Sequence, residues 1–300
     1  MMYHLFLILL LVLASTVAVT RGDRLDRYLR RPSAVRWGVL GVTALLVPVN
    51  VLAATLPGGS DVALGIALAS TTVVLLGGTG VLLLRRSAVR AARPRRVLAI
   101  GAHPDDLELA CGGTLAKLVD TGHEVHAVVM SRGAVGGAEE TRLREAQRGA
   151  AFLGARTVTV HDFPDTALAQ AEQGLVMAIE AAIDHLDPDV ILTHSGHDQH
   201  QDHAAVHAAT LRAARQRTTI LCFESPSVTR SFNPSVFIDI ADHLDVKVQA
   251  VRLHRDQADK PYMSAQRLRG LATFRGAQAK REFAEGYEPV RVLGSALGEL

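Results

Sequence analysis

Three long apolar segments dominate the first third of the chain, over residues 3–20, 37–56 and 62–84. As an α-helix, each is long enough to cross the roughly 30 Å hydrocarbon core of a bilayer. Pro48 and several glycines lie inside the later segments, and membrane helices tolerate both residue types. The pattern therefore predicts a membrane region over residues 1–94 with three transmembrane helices.

Two other interpretations of these segments are weaker. A signal peptide normally carries basic residues before its apolar core, but no Lys or Arg precedes the first segment. A helical hairpin buried in a soluble protein would show a polar face, which these segments lack. We therefore expect a multi-pass protein of the cell membrane.

The arginines predict its orientation. The loops beside membrane helices that carry most Lys and Arg usually face the cytoplasm. The short loop at 57–61 has no basic residue, whereas the two flanking segments carry six arginines each: Arg21, Arg24, Arg27, Arg30, Arg31 and Arg36, then Arg85, Arg86, Arg90, Arg93, Arg95 and Arg96. We expect the N-terminus and the short loop outside, and the rest of the chain on the cytoplasmic side. These arginines could also attract anionic lipid head groups, although setting the topology is the preferred explanation.

From residue 95 the pattern changes to short apolar runs that alternate with amphipathic ones. The predicted strands cover 97–100, 124–130, 157–161, 190–193, 219–223 and 236–240. The predicted helices cover 113–121, 139–153, 175–185, 204–214 and 241–255. This alternation is typical of a parallel sheet covered on both faces. It predicts an α/β, Rossmann-like, mostly parallel sheet with helices on both faces, as a second domain over 95–300.

Composition excludes some functions. The formal net charge is +2 and aromatic residues make up 4% of the chain, which argues against nucleic acid as a partner. No Gly-x-Gly-x-x-Gly follows the first predicted strand, so a dinucleotide site is not expected. Cys111 and Cys222 form no Cys-x-x-Cys pair and are expected to be free thiols.

The sequence His103-Pro104-Asp105-Asp106 follows the first predicted strand directly. Ligands of open parallel sheets bind at the carboxyl ends of the strands, and His and Asp suit a divalent cation such as zinc. Three protein ligands with one open position would make such a metal catalytic. This turn could supply two, and the third is expected from His200-Gln201-Asp202-His203.

These two motifs, with Gly112-Gly113-Thr114, resemble the LmbE-like, or PIG-L, family of N-acetylglucosaminyl deacetylases over about residues 95–295. The resemblance implies Zn²⁺ held by His103, Asp106 and His203, although such a ligand set also accepts other divalent metals. It implies Asp105 as the general base and His200 as the charged partner of the oxyanion. It also implies substrate contacts from Arg142 to the sugar and from Asp165 to a substrate hydroxyl.

Several neighbouring residues are open to more than one interpretation. Asp105 and Asp106 could merely cap the following helix, and Arg142 could be a solvated helix charge. Asp202 is a plausible partner that orients a ligand. His194 and His197 could each orient a ligand in the same way or could simply be exposed to solvent. Glu108 is expected near the motif turn without an assigned role. Late positions that resemble the family, also without a secure role, are Lys247, His254 and Gln257.

The expected activity is therefore hydrolysis of the acetamide of an N-acetylglucosamine-like conjugate, either a small molecule or lipid-linked, with release of acetate. One alternative is an amidase acting on a larger sugar-thiol conjugate. Another is a non-catalytic, membrane-bound protein that binds metal or sugar. The sequence is compatible with an oligomer and does not fix the oligomeric state.

Overall fold

The computed structural model describes residues 1–57, 60–86, 88–215 and 218–293. The chain divides into two compact units, Met1–Ser87 and Ala88–Leu300.

The first unit is helical, with α1 at Met2–Thr20, α2 at Gly22–Tyr28, α3 at Pro32–Ala54 and α4 at Asp61–Leu83. By length and composition, α1, α3 and α4 could each cross a membrane. Helix α3 begins five residues before the expected residue 37, because Pro32 occupies its first turn, where the fixed φ of proline suits a helix start. The short α2 is not predicted by the sequence pattern.

Buried polar side chains join the three long helices. The His4 Nδ1 atom donates to Asn50 Oδ1 at 2.8 Å, and Asn50 Nδ2 donates to Ser70 Oγ at 2.9 Å. Each long helix supplies one member, and all three residues are buried. Hydrogen bonds of this kind hold helices together in lipid, where apolar packing gives little preference for one neighbour over another.

The second unit alternates strands and helices. Its strands are β1 (Arg96–Gly101), β2 (Glu124–Val129), β3 (Thr157–Val160), β4 (Val190–His194), β5 (Thr219–Phe223), β6 (Val236–Asp239) and β7 (Ala284–Arg291). Its helices are α5 (Asp106–Asp120), α6 (Glu139–Leu153), α7 (Glu172–Leu186), α8 (Gln201–Ala213), α9 (Leu244–Arg252) and α10 (Ala265–Ala279). Short 3₁₀ turns cover Leu168–Ala171, Arg255–Gln257 and Pro261–Met263.

The strands form one sheet in the order β3-β2-β1-β4-β5-β7-β6. The first five are parallel, and β7 runs antiparallel to both β5 and β6. The chain moves outward from β1 to β3 and then returns to the other side of β1 with β4. The strand order therefore reverses between β1 and β4, which is where ligands bind in open α/β sheets.

Alternate residues of β1 supply two separate cores. Val97 and Ala99 pack with residues of α5, α6, α9 and α10 on one face, and Leu98 and Ile100 pack with residues of α7 and α8 on the other. A strand buried on both faces is apolar at every position rather than at every second one. The α/β fold expected from the alternating pattern is confirmed.

The second unit also differs from the sequence prediction. Helix α5 begins at Asp106, inside the motif, rather than at residue 113. Neither α10 nor β7 is predicted by the sequence pattern. Both cysteines are buried free thiols, as expected.

Candidate metal centre and active site

The candidate site lies at the carboxyl ends of β1 and β4, which pair in parallel with Val97 opposite Val190. His103 and Asp106 follow β1, and the loop after β4 leads to His200 and His203 at the start of α8. The reversal of strand order thus brings together motifs about a hundred residues apart in the sequence.

The Asp106 carboxylate is fixed by the backbone before it. Its Oδ2 atom accepts hydrogen bonds from the N–H groups of Ala102 at 2.9 Å and His103 at 2.7 Å. Asp105 occupies the N-cap position of α5, but its side chain makes no capping hydrogen bond. The capping interpretation therefore does not describe these carboxylates, because neither one accepts from the N–H groups of the helix that follows.

The three residues expected to bind metal converge. The His103 Nδ1 atom lies 3.4 Å from Asp106 Oδ2, and His203 Nε2 lies 3.3 Å from Asp106 Oδ1. The two ring nitrogens that face each other, His203 Nε2 and His103 Nδ1, are 3.3 Å apart. Zinc–ligand bonds of about 2.0–2.2 Å separate the ligand atoms of a tetrahedral site by about 3.3–3.6 Å. The donor atoms have the chemistry that suits such an ion, and the two imidazole nitrogens have its spacing, while the Asp106 carboxylate meets each imidazole with a different oxygen.

The surrounding acids orient both imidazoles. The Nε2 atom of His103, on the far side of the ring from the candidate metal position, lies 3.1 Å from Asp202 Oδ2 and 3.2 Å from Asp165 Oδ1. The Nδ1 atom of His203 lies 2.8 Å from Asp198 Oδ2. Carboxylates on the outer nitrogen of a histidine fix its tautomer and its ring orientation.

Asp198 is a residue of the site to which the sequence pattern assigns no role. Its carboxylate accepts from Ser227 Oγ at 2.6 Å, from the His200 N–H at 2.9 Å and from Ser225 Oγ. The available signal was an acidic residue five positions before His203, in a loop already rich in ligand-type side chains.

Asp165 differs in its contacts from the substrate-binding role that the resemblance implies. One oxygen faces His103 Nε2, and the other accepts from the N–H groups of Val135 at 2.7 Å and Gly136 at 3.3 Å. Both oxygens are thus engaged within the protein. Asp202 has a similar arrangement, since it also accepts from the N–H groups of Thr166 and Leu168.

His194 is fully buried rather than exposed to solvent. Its Nε2 atom lies 3.2 Å from Asp106 Oδ2 and accepts from the Ala102 N–H at 3.0 Å. Although its nitrogen is close enough to join Asp106 and His203 in a metal-binding group, this hydrogen bond uses the lone pair that a metal would need. His197, by contrast, has an exposed side chain that contacts Glu288.

Asp105 and Arg142 form a buried pair beside the candidate ligands. The guanidinium Nη2 lies 3.4 Å from Asp105 Oδ1, and Nη1 donates to the Gly133 carbonyl at 2.8 Å. Gly133 has a φ of 69°, and a Cβ atom there would lie 2.2 Å from Arg142 Nη1. Arg142 is therefore an enclosed side chain that contacts Asp105, not a solvated helix charge.

His200 is the N-cap residue of α8, and its Nδ1 atom accepts from the Asp202 N–H at 3.2 Å. Its ring stacks on that of His203, with centroids 4.6 Å apart. Because Nδ1 is an acceptor, the neutral ring carries its proton on Nε2. Burial, together with the neighbouring His103 and His203, lowers the pKa of His200. This environment favours a neutral N–H donor over the imidazolium that the resemblance implies.

The charges of the centre favour a bound cation. Burial lowers the pKa of His103 and of His203, but the surrounding carboxylates outweigh it, so the pKa of His103 is well above its usual value and that of His203 is raised to about 9. Burial raises the pKa of Asp106, but the nearby histidines His203, His194 and His103 hold it well below its usual range. In the protein alone, protons supply positive charge that a metal ion could supply instead.

A cavity of about 260 Å³ opens onto the centre. The candidate ligands line this cavity, and so do Asp105, Arg142 and His200. Its wall also includes Lys260 and Tyr262 from the segment before α10. Neither Lys260 nor Tyr262 belongs to a recognisable motif. The volume of the cavity is close to the lower limit of the range for ligand pockets. A single sugar ring is therefore a more suitable occupant than a polymer.

The late residues that resemble the family lie behind this cavity rather than in its wall. Lys247 is buried in an ion pair with Glu285, at 2.6 Å. His254 Nε2 lies 3.4 Å from Glu108 Oε2, and both residues are buried. Gln257 donates to the Gly136 carbonyl at 3.2 Å. These contacts support the walls of the site.

Comparison with known proteins adds a family and a fold. A family model described as PIG-L, GlcNAc-PI de-N-acetylase, matches residues 98–214. The uncharacterized deacetylase YaiS of Escherichia coli is 36% identical over 172 residues, which cover 55% of this chain and 93% of that protein. The diacetylchitobiose deacetylase of Thermococcus kodakarensis is 30% identical over 224 residues, which cover 64% of this chain and 82% of that protein.

Among solved structures, the chain is similar to 4-carboxy-2-hydroxymuconate hydratase from Pseudomonas putida. The TM-score is 0.59 at 23% identity, over 66% of this chain and 98% of the other. At this identity the similarity shows the fold alone. The same architecture therefore also occurs in a protein named for a different reaction.

Proposed function

The chain belongs to the PIG-L/LmbE family of deacetylases, and on that premise we propose that its second unit is a metal-dependent hydrolase of N-acetylated amino sugars. It would cleave the acetamide of an N-acetylglucosamine-like conjugate to acetate and a free amine. The observation that carries this proposal is that His103 Nδ1 and His203 Nε2 lie 3.3 Å apart, and that each lies within 3.4 Å of an oxygen of Asp106. The Asp105 carboxylate lines the same cavity.

We assign the metal to His103, Asp106 and His203, with zinc as the first candidate and another divalent ion as an alternative. When bound, such an ion would lower the pKa of a water ligand towards about 7 and polarise the acetamide carbonyl. Asp198, Asp202 and Asp165 would hold the imidazole ligands in the required orientation.

The protein's own side chains would move the protons. Asp105 would accept a proton from the attacking water and deliver it to the departing amine nitrogen, as a general base and then a general acid. Arg142 would hold the Asp105 carboxylate in place through its Nη2 contact. The Nε2–H of His200 would donate to the oxyanion that forms on the carbonyl oxygen.

We further propose that residues 1–94 anchor this enzyme in the cell membrane, with the catalytic domain, residues 95–300, on the cytoplasmic side. Support comes from three helices of sufficient length and apolarity and from the arginine asymmetry around the short loop. Two kinds of substrate are compatible with this location. One is a substrate at or in the membrane, such as a lipid-linked amino sugar, and the other is a small soluble conjugate.

The experiment is metal analysis of the purified full chain, combined with a screen of acetylated amino sugars that measures released acetate. In the Asp105→Asn variant we expect the metal content to be retained and turnover to fall by a factor of roughly 10² or more. The exposed Asp162→Asn variant serves as the matched control.

Full activity of Asp105→Asn would remove the proposed mechanism. Bound metal without acetate release from any substrate would favour the non-catalytic alternative. Release of a larger acid than acetate would favour the amidase alternative.

A further inference from the structure

Lys260 is a cation in the wall of the cavity, and among the described residues no carboxylate pairs with it. Its Nζ atom makes no hydrogen bond or ion pair with any residue in the described parts of the chain. Arg142, which also lines the cavity, is engaged with both Asp105 and Gly133. Lys260 therefore does not neutralise a carboxylate of the site, and its three N–H donors are free for a ligand or water.

Tyr262 provides a second donor in the 3₁₀ turn Pro261–Met263, which begins directly after Lys260. Its hydroxyl also makes no hydrogen bond within the described residues, and its ring centroid lies 6.0 Å from Lys260 Nζ. Burial first, and then the charge of Asp105, raise the pKa of Tyr262 to about 12. The hydroxyl therefore keeps its proton at neutral pH and can donate it.

The remaining acidic groups of the cavity are already engaged. Asp105 contacts Arg142, Asp106 contacts His103 and His203, and Asp165 contacts His103. Because Arg142 is paired with Asp105 and Lys260 with no carboxylate of the described residues, an anionic group on the substrate would be attracted to Lys260. This arrangement separates an acetamide position at the metal centre from an anion position at the 3₁₀ turn.

We infer that Lys260 and Tyr262 form a subsite for an anionic group on the aglycone, so that the preferred substrates are amino-sugar conjugates bearing a phosphate or a carboxylate rather than neutral oligosaccharides. This inference rests on the proposed deacetylase function and specifies its substrate class. A lysine ammonium binds such anions as a point charge, and the Tyr262 hydroxyl adds a directed hydrogen bond.

The test compares three substrates with the same sugar: N-acetylglucosamine 1-phosphate, the carboxymethyl glycoside and the neutral methyl glycoside of N-acetylglucosamine. With the metal-loaded full chain, KM should be lower for one or both anionic substrates than for the methyl glycoside. Comparing the two anionic substrates distinguishes a phosphate site from a carboxylate site. The preference should weaken at high ionic strength, because the lysine is partly exposed.

In Lys260→Gln, the ratio of KM values between neutral and anionic substrates should fall roughly tenfold, the usual scale for a lost hydrogen bond to a charged group. The loss should appear in KM rather than kcat. Lys260→Arg should restore most of the preference, and Tyr262→Phe should reduce it less. The exposed Lys280→Gln variant, which lies outside the cavity, is the matched control.

The inference is overturned if Lys260→Gln changes KM equally for charged and neutral substrates, or changes neither. If no substrate is turned over, the proposed function fails separately. The anion subsite can then still be tested by calorimetry. This compares the affinities of the wild type and of Lys260→Gln for N-acetylglucosamine 1-phosphate and for the methyl glycoside. Equal affinities in wild type would refute the anion subsite.

Discussion

Asp105 and Asp106 are adjacent in the sequence but have different environments. Asp106 accepts two backbone N–H bonds from the turn before it, which direct its carboxylate towards His103 and His203. Asp105 lacks such bonds and instead meets Arg142. The motif alone predicts two carboxylates near a metal. The contacts that would make Asp106 a ligand and Asp105 a base follow only from the folded turn.

The contact between Asp198 and His203 should strengthen metal binding. In Asp198→Asn, the carboxylate that holds His203 Nδ1 becomes a neutral amide, so the ring is less basic and less well oriented. We expect metal affinity to fall by a factor of roughly 10–100, the usual effect of losing such a partner. Metal competition against a chelating dye measures it.

Asp162→Asn is the control for this variant, because its side chain is 70% exposed. At saturating metal, Asp198→Asn should recover much of its activity, since the atoms assigned to catalysis are unchanged. An unchanged metal affinity would show that the contact with Asp198 does not support the ligand.

The sequence does not place Lys260 and Tyr262 at the site, and its pattern assigns no role to Asp198. The ligand-type residues next to β1 and α8 form recognisable local patterns, so their convergence could be expected from the parallel sheet. Lys260 and Tyr262 reach the cavity only because the chain after α9 returns over the motif turn. No local spacing encodes that contact.

At the scale of elements, Gly113 allows α5 to lie close to the end of β6. A Cβ atom at this position would be 2.8 Å from Ile240 Cδ1 and 3.0 Å from Ile240 Cβ. Because the Cβ of Ile240 cannot move without its backbone, Gly113→Ala should lower the free energy of unfolding by about 1–3 kcal/mol. Chemical denaturation of the full chain in detergent micelles measures it.

Gly270 in α10 is the matched control, since a Cβ atom there meets nothing within 4 Å. Gly270→Ala should leave stability unchanged or raise it by up to about 1 kcal/mol, because alanine favours the helix. If both substitutions had the same effect, close packing at Gly113 would not be the cause.

In the second unit, the sequence pattern does not predict helix α10 and strand β7. Helix α10 contains two glycines, and its apolar residues do not form a clear stripe. Strand β7 contains Gly286 and Pro289, both of which argue against a central strand. Pro289 is accommodated beside Leu221, next to a register shift between Ile220 and Leu221. Tertiary contacts therefore outweigh local preference here.

For the whole molecule, the fold and the chemistry have separate origins. The reversal of strand order between β1 and β4 provides a crevice that many reactions could use, and a hydratase has a similar architecture. The His and Asp side chains placed in that crevice, together with the similarity to deacetylases at 30–36% identity, favour amide hydrolysis.

The proposed membrane topology can be tested with single cysteines on either side of α4. If the arginine-rich segments remain inside the cell, Ser60 in the short loop lies outside and Val89 lies inside. Both native cysteines are buried, and Val89 is 91% exposed, so single cysteines at these positions can be labelled selectively. A membrane-impermeant maleimide should label Ser60→Cys in intact cells and Val89→Cys only after permeabilisation. Labelling of Val89→Cys in intact cells would place the catalytic unit outside, where a cytoplasmic substrate could not reach it.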